Sequence, residues 1–229
     1  MRRGIELRAA RVRHGPLEAL HGVELAAPTG AVTVLLGRNG AGRTTVLRAL
    51  AGTAKLSAGT VVWDGADVTR HAAHARAAAG LCFVPDRQAV FAALRVAEQL
   101  RLAAPDGDHR PALDAYPELR PLLDRRAGTL SGGEQRMVAV SRALLSRARV
   151  VLVDEPAQGM APRVAARTYA LLRELDAAVV LAEQRLPPGL RTGDGTVLVH
   201  ELRRGAVVFS GEAGELAEAD EAGGAATAG

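Results

Sequence analysis

The sequence, 229 residues long, predicts an α/β fold built on a mainly parallel sheet. Short apolar runs at 31–36, 80–84, 150–153 and 178–181 lack the polar alternation of a half-exposed strand and match strands covered on both faces. Helical stretches at 44–51, 134–146 and 163–175 fall between them. Strands that alternate with helices in this way pair in parallel.

Taken in order, residues 5–12 and 23–26 alternate loosely and predict antiparallel strands at the start. The run 31–36 ends at Gly37, and the helix at 44–51 is closed by Gly52. A strand at 60–63 enters a turn at Asp64-Gly65, and the strand at 80–84 is stopped by Pro85. Arginines and prolines punctuate 86–126, with helical pieces at 96–103 and 112–123. After the amphipathic helix 134–146 come strand 150–153, helix 163–175 and strand 178–181. Strands 197–202 and 206–209 form a terminal hairpin around 203–205. A single domain is expected over 1–212, with a helical insertion at roughly 86–148. The Ala/Gly/Glu-rich residues 213–229 offer little to bury and are expected to form a disordered tail.

Hydrophobic residues at 48% and charged residues at 24% belong to a globular chain. Cys82 is the only cysteine, which excludes a disulfide framework and a cysteine zinc site, and a reducing, cytoplasmic setting is expected. No apolar run approaches the ~18 residues of a membrane span, and the start lacks the apolar stretch of a signal peptide. The net charge is +4, but Lys55 is the single lysine among 29 basic residues. Abundant arginine and alanine read as coding bias. The basic residues are dispersed and aromatics reach only 3%, so a nucleic-acid partner is not expected. His71 and His74 are three apart with no third ligand nearby and read as surface residues.

The chemistry is concentrated in three segments. Gly37-Arg38-Asn39-Gly40-Ala41-Gly42-Arg43-Thr44-Thr45 lies between a strand and a helix with the spacing G-x-x-x-x-G-basic-T. Its glycines let backbone N–H groups close around phosphate oxygens, and the helix N-terminus adds its positive end. Thr44 would place a hydroxyl on Mg²⁺. The run 150–153 delivers Asp154 and Glu155 to the carboxyl edge of the sheet, where that loop also opens. Asp154 would hold the metal, directly or through water, and Glu155 would polarise an attacking water as general base. Leu130-Ser131-Gly132-Gly133-Glu134-Gln135 opens the helix at 134–146. A Ser-Gly-Gly turn at a helix N-terminus is a second anion site, for which a chain with one phosphate loop holds no second nucleotide.

In this order the three motifs resemble the ATP-binding-cassette (ABC) transporter ATPases over residues 4 to about 212. The resemblance implies a P-loop NTPase core with an N-terminal antiparallel β subdomain and an inserted α-helical subdomain. It implies ATP and Mg²⁺ as cofactors, and a signature at Leu130–Gln135 that acts on the ATP of a partner subunit. Ala19-Leu20-His21-Gly22-Val23, Val84-Pro85-Asp86 with Val90-Phe91, Gly159-Met160-Ala161-Pro162 and Ala182-Glu183-Gln184 look like the branched-chain amino acid importer ATPases. Urea and short-amide importers share much of this pattern.

By that resemblance Gln184 takes the place of a switch histidine, its amide toward the γ-phosphate. Asp86 stands where a metal-contacting glutamine is usual. His14 stands where an aromatic stacks on adenine, and reads equally as a surface histidine. Arg43 replaces the loop's lysine, and a planar guanidinium is no equivalent of a compact ammonium. Ala157 lacks the hydroxyl usual after Glu-Pro.

The resemblance thus implies a cytoplasmic ATPase subunit, peripheral on the inner face of the cell membrane. A second ATPase subunit would pair with it head to tail, and integral membrane permease subunits would dock on 86–126, with a solute-binding protein as an indirect partner. Phe91 and Leu94 would meet the permease or pack in the chain's own helical layer. A second reading, from Arg43, Ala157 and Gln184, is a nucleotide-binding partner with little hydrolysis in a heterodimer. A third, a protein of translation or repair, ordinarily brings two cassettes or a long coiled-coil insertion, and the sequence shows neither.

Overall fold

A computed structural model describes residues 4–191 and 197–216. The chain opens with strands β1 (Gly4–His14), β2 (Leu17–Pro28) and β3 (Val32–Leu36), then helix α1 (Arg43–Ala51). Next come β4 (Ala58–Trp63), β5 (Ala66–Asp67), α2 (Ala73–Ala78) and β6 (Leu81–Val84). The helical region holds α3 (Val96–Ala103), α4 (Arg110–Ala115), two short 3₁₀ turns at Pro117–Leu122 and Ala127–Thr129, and α5 (Gly132–Leu145). It is followed by β7 (Val150–Asp154), α6 (Pro162–Arg173), β8 (Ala178–Glu183), α7 (Pro188–Arg191), β9 (Val197–Arg203) and β10 (Ala206–Glu212).

Two sheets result. The first is antiparallel in the order β2-β1-β4-β5, and the second runs β10-β9-β3-β8-β7-β6, parallel except for its β9–β10 edge. In the parallel sheet Leu36 is paired with Glu183, and Asp154 with Ala182, so β3, β7 and β8 end at one edge.

The continuous apolar runs follow from burial on both faces. Val32, Val34 and Leu36 of β3, with Val151 and Val153 of β7, enter a core shared with α3, α4 and α5. Their alternate neighbours Leu35, Val150 and Leu152 enter a second core with α1 and the antiparallel sheet. Strand side chains alternate between faces, so both must be apolar when both are covered. Helix α1 lies in that second core, packed on β1, β7 and β8, and its loop is thereby held at the sheet edge.

Some expectations need correction. The helix expected at 112–123 is broken at Tyr116, whose backbone (φ −130°, ψ 81°) leaves the helical region ahead of Pro117. The Tyr116 ring is buried and its hydroxyl lies 2.9 Å from Thr168 Oγ1. Residues 213–216, placed in the tail, form a helical turn whose Ala213 and Leu216 pack against the core. Residues 217–229 lie outside the described residues. The sequence reading missed β5, α2 and α7, all too short to show periodicity. Among the described residues no helix is long and apolar enough to cross a membrane.

Helix α2 is held by Arg76, which is 2% exposed. Its guanidinium donates to five backbone carbonyls: Ala49 and Leu50 at the end of α1, and Val68, Thr69 and His71. A cation at a helix C-terminus meets the negative end of the dipole, and here it also satisfies orphan carbonyls. Arg76→Met is therefore expected to cost about 3 kcal/mol or more of folding stability, measured by chemical denaturation, because the carbonyls lose a charged donor.

Candidate functional site

Strand β3 delivers the chain to Gly37 at the carboxyl edge of the sheet. Gly37 takes φ +155°, and a Cβ there would lie 2.6 Å from the Leu202 carbonyl oxygen, so no other residue fits. The loop turns into α1 through Gly42, which has φ +109°. No side chain caps α1 and no acid lies in its first turn, so its leading N–H groups keep their field for an anion.

Residues 39–45 line a cavity of about 690 Å³, together with Asp86, Asp154, Glu155, Gln158 and Gln184. Of the expected loop residues, Gly37 is buried and lines no part of it, and Arg38 faces a neighbouring cavity. Thr44 donates its hydroxyl to Asp154 Oδ2 at 2.7 Å. Burial lifts the Asp154 carboxyl above its ordinary pKa, Thr44's bond opposes the lift, and the charge of Asp86 adds to it. A hydroxyl and two carboxylates form an oxygen set, and among the described residues no cluster of three or more His, Cys, Asp or Glu could hold a metal alone. That set fits Mg²⁺, which takes one or two carboxylates and completes its shell with substrate phosphates and water.

Glu155 follows β7 with φ +49°, its amide donating to the Ala182 carbonyl at 2.9 Å. Its carboxylate is the meeting point of the site. Oε1 accepts from Arg43 Nη2 at 3.2 Å and from Gln184 Nε2 at 3.0 Å, and Oε2 accepts from Gln158 Nε2 at 3.0 Å. Arg43, 6% exposed, also donates to Asn39 Oδ1 at 3.4 Å, while its Nη1 is buried without a partner.

The signature residues stand elsewhere. Ser131 and Glu134 close a reciprocal cap, with Glu134 Oε2 accepting from the Ser131 amide at 2.8 Å and Ser131 Oγ accepting from the Glu134 amide at 3.3 Å. Gln135 donates to the carbonyl of buried Leu130 at 3.1 Å. A Cβ on Gly133 would lie 2.5 Å from the Gly159 carbonyl oxygen. Gly132 and Gln135 line a cavity of about 270 Å³, which shares Asp86 and Gln158 with the larger one. No residue of 130–135 lines the cavity over the glycine loop.

His14 is exposed at the end of β1 and does not line the cavity over the glycine loop; Glu18 and His21 are on that wall. The β1–β2 pairing sets His14 opposite Leu17, the residue just before Glu18. Four residues in or beside the site, Gln158, Arg136, Tyr169 and Glu183, were not singled out from the sequence as site residues. For Gln158 a position three after Glu155 was the only signal. Arg136, 4% exposed, donates to the Pro85 carbonyl at 2.5 Å and lies in the field of Asp154, Asp86 and Glu155. Burial pushes the Glu183 carboxyl up to about 7, and the Tyr169 hydroxyl donates to it at 2.5 Å.

Away from the cavity, Phe91 is 54% exposed and Leu94 half-buried. The Phe91 backbone is held by buried Gln99 through bonds of 2.9 and 3.2 Å, and the Arg142 guanidinium stacks 5.0 Å from its ring.

Residues 20–158 match the ABC transporter family. The chain belongs to that family. It is 36% identical to the probable branched-chain amino acid transport ATP-binding protein LivF of Archaeoglobus fulgidus, over 88% of this chain and 89% of that one. It is 30% identical to the high-affinity branched-chain amino acid transport ATP-binding protein BraG of Pseudomonas aeruginosa, over 82% and 88%. The ribose import ATP-binding protein RbsA of Chromobacterium violaceum is 31% identical over 83% of this chain and 41% of its own. A nucleotide-free ATP-binding cassette from an ABC transporter shares the fold, with a TM-score of 0.79 at 23% identity over 94% and 93% of the two chains. ABC ATP-binding domains are ATPases, and this chain is an ABC-type ATPase.

Proposed function

We propose that this ABC ATPase powers an importer of branched-chain amino acids or similar small polar solutes from the cytoplasmic face of the cell membrane. The amino acid class rests on the likeness to LivF and BraG. The hydrolytic reading is carried by one observation: residues 39–45, Asp154 and Glu155 line one cavity. The loop amides and Arg43 would bind the phosphates, and Thr44, Asp154 and Asp86 would hold Mg²⁺, which when bound supplies positive charge against the phosphate oxygens. Glu155 takes a proton from water as that water's oxygen bonds to the γ-phosphorus and the bond to the bridging oxygen breaks, leaving ADP and phosphate. Gln184 orients the γ-phosphate through its amide. The signature, outside its own cavity, serves the ATP of a second ATPase subunit, so two copies close head to tail on two nucleotides.

Glu155→Gln keeps the shape of the base and removes its proton affinity. With saturating Mg-ATP this variant should run as a dimer in light scattering, and with ADP as a monomer. A Glu155→Gln protein that stays monomeric with ATP, even beside its membrane partner, would remove the support for the two-copy site.

Phe91 supplies the permease contact, because its ring is presented to solvent by Gln99 and Arg142 rather than drawn into the helical layer. Phe91→Asp should abolish co-purification with the permease while ATP binding by the isolated subunit persists. Loss of folding would instead place Phe91 in the core.

A second reading, reduced hydrolysis within a heterodimer, is favoured by the Arg43–Glu155 ion pair. A guanidinium misplaced by about 1 Å at the reacting phosphate can cost on the order of 10²-fold in rate. Under this reading Arg43→Lys raises ATP turnover at saturating Mg-ATP more than it tightens ATP binding. Unchanged or lower turnover would show the site adapted to arginine.

A further inference from the structure

We propose that Arg136 and Arg142, both on α5, form a two-point splint that positions Asp86 for the metal. The proposal rests on the reading of Thr44, Asp154 and Asp86 as the Mg²⁺ set. Asp86 is the member of that set with the least support of its own. Thr44 and Asp154 lie at the ends of α1 and β7 and are bonded to each other at 2.7 Å. Asp86 lies beyond the last ladder pair of β6, Val84 with Val153, in residues 85–90 that belong to no helix or strand. Its carboxylate meets Arg87 at 3.9 Å, but the Arg87 side chain is 91% exposed, and so open an ion pair fixes little. Gln88 takes φ +54°, a left-handed backbone that an L residue keeps only where its surroundings impose it.

Those surroundings include two guanidinium groups of one helix. Arg136 Nη1 donates to the Pro85 carbonyl at 2.5 Å, and Arg142 Nη1 to the Ala89 carbonyl at 2.9 Å. The two bonds therefore grip the open segment on either side of Asp86. Arg136 adds a charge to its bond. It is 4% exposed, and its Nε and Nη2 are buried without a partner among the described residues. That cation lies in the field of Asp154, Asp86, Glu155 and Glu183, and with Asp86 it lines the cavity of about 270 Å³. Asp86 stands on the wall shared with the ATP cavity, which Asp154 also lines. A buried cation draws the Asp86 carboxylate to that wall while the backbone bond fixes its root. Groups behind a metal ligand orient it in this way, so both arginines are positioning residues of the ATP site.

Mn²⁺ takes the same oxygen ligands as Mg²⁺ and reports the set without turnover. Its dissociation constant would be measured by electron paramagnetic resonance on the full chain at saturating ADP. The proteins would be the parent, Arg136→Met, Asp86→Asn and the double variant. Asp86→Asn should weaken Mn²⁺ about 10-fold, and Arg136→Met by a similar factor. The sign is diagnostic, because removal of a nearby positive charge by itself would tighten a cation. In the Asp86→Asn background Arg136→Met should add less than about 2-fold, since the splint acts through Asp86. Metal-free ADP binding should move by less than about 2-fold in every variant. Arg142→Met, at a half-buried position, carries the same test if Arg136→Met does not fold. Tighter Mn²⁺ in Arg136→Met, equal weakening in both backgrounds, or a matching loss of metal-free ADP affinity overturns the splint. An Asp86→Asn chain that binds Mn²⁺ as the parent does removes Asp86 from the metal set, and the splint falls with that reading.

Discussion

The bond from the Thr44 hydroxyl to Asp154, 2.7 Å long, joins residues 110 positions apart and depends on the arrangement of the whole sheet. It requires β3 and β7 to run parallel with β8 between them, so that the turn after β3 and the acids at the end of β7 reach the same edge. It also requires α1 to pack back into the core against β1, β7 and β8, which aims its first turn at that edge. The open carboxyl edge of a parallel sheet is where strand ends, glycine turns and helix N-termini converge, and the rest of the site is assembled around that convergence.

Arginine takes three distinct parts in this chain although its abundance looks like coding bias. Arg76 is structural, its donors spent on carbonyls at the end of α1 and beside α2. Arg136 ties the signature helix α5 to the segment entering Asp86, through the Pro85 carbonyl. Arg43 faces the cavity and holds Glu155. What separates them is burial and partner. A buried guanidinium must find acceptors or carboxylates, and each of these three has a different set.

The glycine loop, the paired acids and the signature were legible because each lies within a few consecutive residues next to a strand or helix whose period is clear. Gln158 and Arg136 were not, since a single polar residue on an exposed-looking loop or an amphipathic helix carries no local signal. His14, read equally as a stacking residue and as a surface histidine, is exposed at the end of β1. Its position in the β1–β2 hairpin matched the expected stacking residue, but the strand pairing sets the cavity wall at Glu18 and His21. The helix break at Tyr116 was written in the following Pro117, whereas the short α2 has alanines around His74 and Arg76 and no apolar stripe to reveal it.

The order of strands and helices, the glycine loop and the pair of acids that ends β7 follow from local pattern, because backbone period and glycine content act within a few residues. Which side chains meet is another matter. Arg43 and Glu155 are 112 positions apart, and their pairing at 3.2 Å arises only when β3 and β7 end at one edge and Gly42 starts α1 toward it. Likewise the exclusion of the signature from its own cavity is a property of where α5 packs, over the opposite core from α1. Contacts at such separation depend on how the layers stack, and no stretch of sequence contains that information by itself.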